Sequence, residues 1–242
     1  MPRQNLRLLI LALSVIWLIS ACGPSEAERQ AAYIAQQEQL ATPMFALYNE
    51  AKQQENWQLA QTRANVIVRQ APESQAAKTV LRETDDIASR AQKQKELNRL
   101  NELWHYLSQN VEGQTTPQRT ADIYNSPFQG KERQDKKTQA RLILRKHPQW
   151  GESAYLVIES GTWSCGRPCV LNIQFDDHKA QKYRGTVSST GTEPAIFIDD
   201  DQRFIQQLVQ SAQIQIRGES DATPPLLFEV AGFEQKRYQL GR

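Results

Sequence analysis

The spacing of apolar residues changes once along these 242 residues, and that change limits what the chain can fold into. Up to about residue 108 the apolar side chains recur at the 3.6-residue period of a helix; farther on they alternate with the period of 2 expected of strands. Between the two lies a loop at residues 109–119 holding Gly113, Thr115, Thr116 and Pro117, residues that punctuate regular structure. A run of helices followed by a run of strands predicts an α+β fold: an N-terminal helical hairpin or bundle, then an antiparallel β-sandwich with one short helix.

The first half is rich in Ala, Gln, Glu and Leu, a helix-favouring composition. Residues 26–40 read as a weakly apolar helix. Thr42 before Pro43 reads as an N-cap followed by the proline tolerated at the first helical position. Met44, Leu47, Tyr48 and Ala51 then form one stripe at i, i+3, i+4 and i+7. A polar break at residues 53–56 precedes Trp57, Ala60, Ala64, Ile67 and Val68 on a further helix, which Pro72 ends. Residues 73–108 read as one long helix with Ala76, Ala77, Val80, Leu81, Ile87, Ala88 and Ala91 on one side. Its stripe thins over residues 92–96 and resumes at Leu97, Leu100, Leu103, Trp104 and Leu107. That surface is either ordinary bundle core or a seam for a partner.

In the second half, Ala140-Arg141-Leu142-Ile143-Leu144-Arg145 and Ser153-Ala154-Tyr155-Leu156-Val157-Ile158 are strand runs either side of a turn at His147-Pro148-Gln149-Trp150-Gly151. Val170-Leu171-Asn172-Ile173-Gln174-Phe175 alternates cleanly. Further strands are expected at residues 183–188, 195–198, 214–216 and 226–230. Asp199, Asp200 and Asp201 precede Phe204, Ile205, Leu208 and Val209, a short helix with acids at its positive end.

The N-terminus carries a different kind of signal. Arg3 and Arg7 form a cationic start, Leu8 to Ile19 an apolar run, and Ile19-Ser20-Ala21-Cys22 closes it. The run is too short for the ~30 Å of a bilayer core, so it reads as a secretory signal over residues 1–21. Its ending resembles a bacterial lipobox, which implies that Cys22 is lipidated with fatty acyl chains such as palmitate and begins the mature protein. Several acyl chains give durable anchoring. Gly23 follows where inner-membrane retention would call for Asp, so the expected place is the outer membrane, facing the periplasm. The chain's formal charge is +2, and loss of Arg3 and Arg7 takes it to zero. A neutral mature chain offers no electrostatic case for nucleic acid.

With Cys22 assigned to lipid, Cys165 and Cys169 remain as a pair in an oxidising compartment. The loop Cys165-Gly166-Arg167-Pro168-Cys169 can fold its thiols together, so a structural disulfide is expected ahead of a labile redox pair or a zinc site, for which no further ligand is near. Trp150 and Trp163 flank this region and are a candidate binding surface, although buried core positions are the commoner outcome for such tryptophans. Among the histidines only His178 has adjacent acids, in Asp176-Asp177-His178-Lys179, a polar turn. No nucleophile elbow, phosphate loop, H-E-x-x-H or dinucleotide fingerprint occurs. No catalytic residue, metal or cofactor is therefore assigned.

Two resemblances add to this. The spacing of residues 44–72, with Ala60 and Ala64 at a close helix crossing, is similar to a single tetratricopeptide repeat. Tyr48 and Ala51 depart from its pattern and no second full copy follows, so a plain helical hairpin is expected ahead of a repeat protein. The order Cys169 to Asp177, Pro194 to Ile198, Arg203 to Leu208 with Ser211 and Ala212, Ile214 to Arg217, and Leu227 to Phe233 resembles the C-terminal β domain of small bacterial envelope proteins. These include accessory proteins of type VI secretion. That resemblance implies a non-catalytic β domain and, at family level, a secretion-related role. The organisation expected is a signal peptide at 1–21, a helical domain at 22–110 and a β domain at 111–242. The expected function is that of a membrane-tethered scaffold binding another envelope protein. The runner-up is a small-ligand or cell-wall-glycan binding module.

Overall fold

Ser25 starts the first helix because its hydroxyl accepts from the Glu28 N–H at 3.3 Å while the Glu28 carboxylate accepts from the Ser25 N–H at 2.7 Å, a reciprocal cap. A computed structural model describes residues 23–126, 138–161, 163–188, 195–218 and 225–240. The expected signal segment and Cys22 lie outside the described residues. The chain divides into two compact units, Met1–Gln94 and Lys95–Arg242.

In the first unit, α1 (Glu26–Gln53), α2 (Trp57–Gln70) and most of α3 (Gln75–Glu102) surround a core of Tyr48, Ile67, Val80, Ile87 and seven alanines. Small side chains let the helices approach, and Tyr48 is fully buried there. The N-cap expected at Thr42 is not used. Its hydroxyl donates to the Glu38 carbonyl at 2.8 Å, and α1 runs through Pro43 unbroken. Ser74 caps α3, accepting from the Ala77 N–H at 3.0 Å. Glu38 reaches the same end to accept from the Gln75 N–H at 2.7 Å, a carboxylate at the positive pole of the helix.

Helix α3 stops at Glu102, short of the expected residue 108, and the chain turns into a strand. Trp104 and Tyr106 then point inward while His105 and Leu107 point out. Trp104 and Leu107, three apart and on one side of a helix, fall on opposite faces of the strand, and Trp104 gains a core partner by the change: its ring lies 5.0 Å from that of Phe233. The sheet-bearing unit therefore begins ahead of residue 111.

Nine strands follow among the described residues: β1 (Trp104–Gln109), β2 (Gln118–Tyr124), β3 (Gln139–His147), β4 (Gly151–Ser160), β5 (Val170–Phe175), β6 (Gln181–Ser188), β7 (Ala195–Ile198), β8 (Ile214–Arg217) and β9 (Leu226–Phe228). Helix α4 (Asp201–Leu208) lies between β7 and β8, and α5 (Gln235–Leu240) comes last. All pairings are antiparallel, in the order β1-β2-β3-β4-β7-β6-β5-β8-β9. The expected two-layer sandwich is instead one continuous sheet curled into a half-barrel.

The reason lies in β6. Its residues 181–184 pair with β5 and its residues 185–188 pair with β7, so one strand joins what would otherwise be two layers. Gly185 sits at the switch, where a Cβ would collide with the sulfur of Cys169. Strand corners of this kind favour glycine. Alternate residues of β2 to β9 fill the concave side, among them Ile123, Leu142, Leu144, Leu156, Leu171, Ile173, Ile214 and Phe228. Phe204 and Leu208 from α4 and Tyr238 from α5 join the same core. Beyond β2, Ser126 donates to the Leu227 carbonyl at 2.7 Å, which draws the two ends of the sheet together.

Candidate interaction surface

The β3–β4 turn builds the most conspicuous exposed group of the second unit. His147 and Gly151 face each other across the hairpin, leaving residues 148–150 as a three-residue loop. Gly151 adopts φ +79°, the left-handed conformation such loops need at their close. His147 is buried, and its Nδ1 accepts from the N–H groups of Gln149 (3.2 Å) and Trp150 (3.3 Å). That pair of bonds places the acceptor lone pair on Nδ1. The imidazole then lies flat beneath the Trp150 indole, with ring centroids 3.8 Å apart and planes 11° from parallel. Trp150 is 67% exposed, yet its backbone and one ring face are fixed.

Beside it, on the convex face, the Arg145 guanidinium lies 5.6 Å from the Trp150 ring, 5.4 Å from Tyr155 and 5.9 Å from Phe197. These are cation–π distances. Ser153 holds the arginine by accepting from its Nε at 3.3 Å. Tyr155 and Phe197 face each other across β4 and β7 with centroids 4.9 Å apart. Burial pushes the Tyr155 phenol above its ordinary value, so it stays a neutral hydrogen-bond donor.

Farther along the same face, Asp122 lies 3.5 Å from His105, and Arg141 pairs with Glu159 at 3.1 Å. Burial raises the Asp122 carboxyl, an effect that Arg141 and His105 partly offset. No nucleophile is bonded to this group among the described residues, so the arrangement is that of charge pairs on a sheet face.

The expected partner of Trp150 is elsewhere. Trp163 follows the far end of β4, so a ten-residue strand, roughly 30 Å long at the usual ~3.3 Å per residue, lies between it and Trp150. Trp163 is only 6% exposed and belongs to the core. It borders a cavity of about 340 Å³ whose wall includes Ser164, Cys165, Arg167, Val187 and Ile196. The Cys165 and Cys169 sulfurs stand at disulfide distance, 2.08 Å, with Cα atoms 4.8 Å apart. In the helical unit a groove of about 520 Å³ runs between α2 and α3, lined by Ala64, Val68, Val80, Leu81 and Ile87 with Arg69 at its rim.

His178 sits in the expected turn, donating its N–H to the Phe175 carbonyl at 3.0 Å. Its neighbour Asp176 does more: one carboxylate oxygen accepts from the Ala212 and Gln213 N–H groups, both at 2.9 Å. The residues that sequence reasoning missed are Arg145 and His147. The signal available was the run Arg145 to Trp150, in which a cation, an imidazole and an indole recur around a hairpin turn.

Among the described residues no group of three or more His, Cys, Asp or Glu could hold a metal ion, and no helix is long and apolar enough to cross a membrane. No known protein family, curated protein or solved structure matches the chain.

Proposed function

We propose that the chain is an envelope lipoprotein, held by lipid on Cys22 at the outer membrane and facing the periplasm, that acts as a non-enzymatic scaffold for another envelope protein. One observation carries the binding reading: an exposed tryptophan fixed on a buried histidine, beside an arginine held against two further aromatic rings. Trp, Tyr, Phe and Arg are the residues enriched at protein interfaces, and the energy of binding concentrates in such anchors. An anchor already held in place loses little conformational freedom on binding. The family-level resemblance of the β domain supports a secretion-related setting for that partner.

The test uses the full chain with Cys22→Ser as bait, beside the same bait carrying Trp150→Ala. One envelope protein should be enriched by the first and lost from the second. Equal recovery by both refutes the surface, and recovery of peptidoglycan alone refutes the scaffold. The variant should unfold within ~0.5 kcal/mol of the parent, as surface substitutions do.

A second reading is favoured by the cavity beside Trp163. Its indole Nε1 has no hydrogen-bond partner among the described residues, and Arg167 and Ser164 border the same space. A small acceptor-bearing ligand or a cell-wall glycan would suit it. Quenching of tryptophan fluorescence by glycan fragments that survives Trp150→Ala and is lost in Trp163→Phe would favour this site.

A further inference from the structure

The concave side of the half-barrel ends in a polar rim. On β3 and β4 the opposed pair Leu144 and Ala154 is fully buried, and the next pair on that face is Lys146 and Glu152. Between this end of the hairpin and helices α4 and α5 lies a cavity of about 420 Å³. Gln202 and Gln206 of α4 line it, as do Gln235 and Gln239 of α5, so each helix turns two glutamines spaced i and i+4 toward one space. None of these four amide groups enters a side-chain hydrogen bond among the described residues. Phe233 and Tyr238 supply an aromatic wall. Tyr238 is 3% exposed, and its hydroxyl has no hydrogen-bond partner among the described residues. Burial, and after it the Glu152 carboxylate, hold the phenol well above its ordinary value, so the hydroxyl keeps its proton. A buried donor left without an acceptor is costly, and a ligand that accepts from it removes that cost.

We propose that this cavity binds a neutral pyranose sugar, with its hydroxyls on the glutamine amides, an apolar ring face against Phe233, and one hydroxyl between Tyr238 and Glu152. An amide carries a donor and an acceptor side by side, and two neighbouring ring hydroxyls return the matching acceptor and donor. The hydroxyl placed beside Tyr238 accepts from the phenol and donates to the Glu152 carboxylate, so neither group is left unpaired. Lys146 and Glu152 bring one charge of each sign to the wall, which gives an ionic ligand no advantage. The volume falls within the ~300–1,000 Å³ of small-ligand sites, and the mouth of a barrel is a usual place for one. A peptide also offers amides, but it binds as an extended chain along a groove or a strand edge. The site goes beyond the scaffold reading, because Arg145 and Trp150 belong to the other face of the same hairpin and both faces can be occupied together.

The test titrates the full chain carrying Cys22→Ser with glucose, with N-acetylglucosamine and with an alanine dipeptide. Calorimetry reads the affinity, and the side-chain amide signals of glutamine in NMR read the place. One of the sugars should bind in the millimolar range and move the amide signals of Gln202, Gln206, Gln235 and Gln239. Tyr238→Phe removes only the unpaired hydroxyl, so it should melt at or above the temperature of the parent yet bind the sugar about tenfold more weakly. Gln206→Ala, at an exposed position, should weaken binding severalfold with the melting temperature unchanged. Three results overturn the proposal: no sugar bound through the millimolar range, affinity unchanged in both variants, or the dipeptide bound in place of sugar. Binding that is lost in Trp163→Phe and kept in Tyr238→Phe overturns it as well, by moving the sugar to the cavity beside Trp163.

Discussion

Reducing the Cys165–Cys169 bond tests how the corner of the sheet is held. The two residues are four apart in sequence. A loop of about five residues restricts the unfolded chain by 2.1 + 1.5R ln 5, about 7 cal/mol/K, or about 2 kcal/mol at 25 °C. Reduction leaves both sulfurs in the core, so packing against Gly185 survives and only the crosslink is lost. Replacing both cysteines by alanine removes the sulfurs too and should cost roughly 1 kcal/mol more for each. Urea unfolding followed by tryptophan emission, with and without reductant, reads the difference. For a slope of roughly 2 kcal/mol/M the midpoint should fall by about 1 M. An unchanged midpoint after verified reduction would refute the entropic account. A loss above ~4 kcal/mol would refute it differently, by showing that the bond holds β5 and β6 together in the native state.

Two further outcomes probe the two cores. Phe204 is fully buried, with ring centroids 5.9 Å from Phe175 and 6.1 Å from Tyr183, so Phe204→Ala should cost ~3–5 kcal/mol in thermal or urea unfolding of the sheet-bearing unit. In the helical unit, Lys52 and the Tyr48 hydroxyl both donate to Glu83 and hold its carboxyl below the ordinary value. A lowered folded value means stability present above the unfolded value and lost as pH falls through the folded one. Glu83→Gln should therefore lower the melting temperature at neutral pH, and the gap from the parent should close below about pH 4.

The strands from β3 onward were legible because each buries one face, so apolar residues alternate as they do in Val170 to Phe175. Strand β2 was not legible, since only Ala121 and Ile123 turn inward and the rest is polar. Helix α5 escaped for a similar reason: of its six residues only Tyr238 is buried. In β1, Leu103, Trp104 and Leu107 carry on the helical spacing of the residues before them, and the strand gains its anchor from Phe233, more than a hundred residues away, against which Trp104 packs. The single sheet was hidden because a strand that changes partner midway looks like any other strand; Gly185 is its only local mark. At the candidate surface Trp150 could be picked out beside a turn. Arg145 stands in the same run, but part of its environment comes from Phe197, on a different strand, which no local spacing reveals.

The last stretch of chain closes the first strands of the sheet. Phe233 and Tyr238 pack with Trp104, the Tyr106 hydroxyl accepts from the Glu234 N–H at 2.7 Å, and Glu229 pairs with Arg99 at 2.7 Å. A chain is synthesised and threaded from its N-terminus. The helical unit, whose contacts lie within Met1–Gln94, is complete while most of the protein is still unmade. The sheet has to wait with Trp104 unsheltered until some 130 later residues have emerged, a delay set by topology and independent of how strongly any strand prefers its neighbour. During that interval the half-finished curl exposes apolar surface, and it is then that a chaperone would have something to hold.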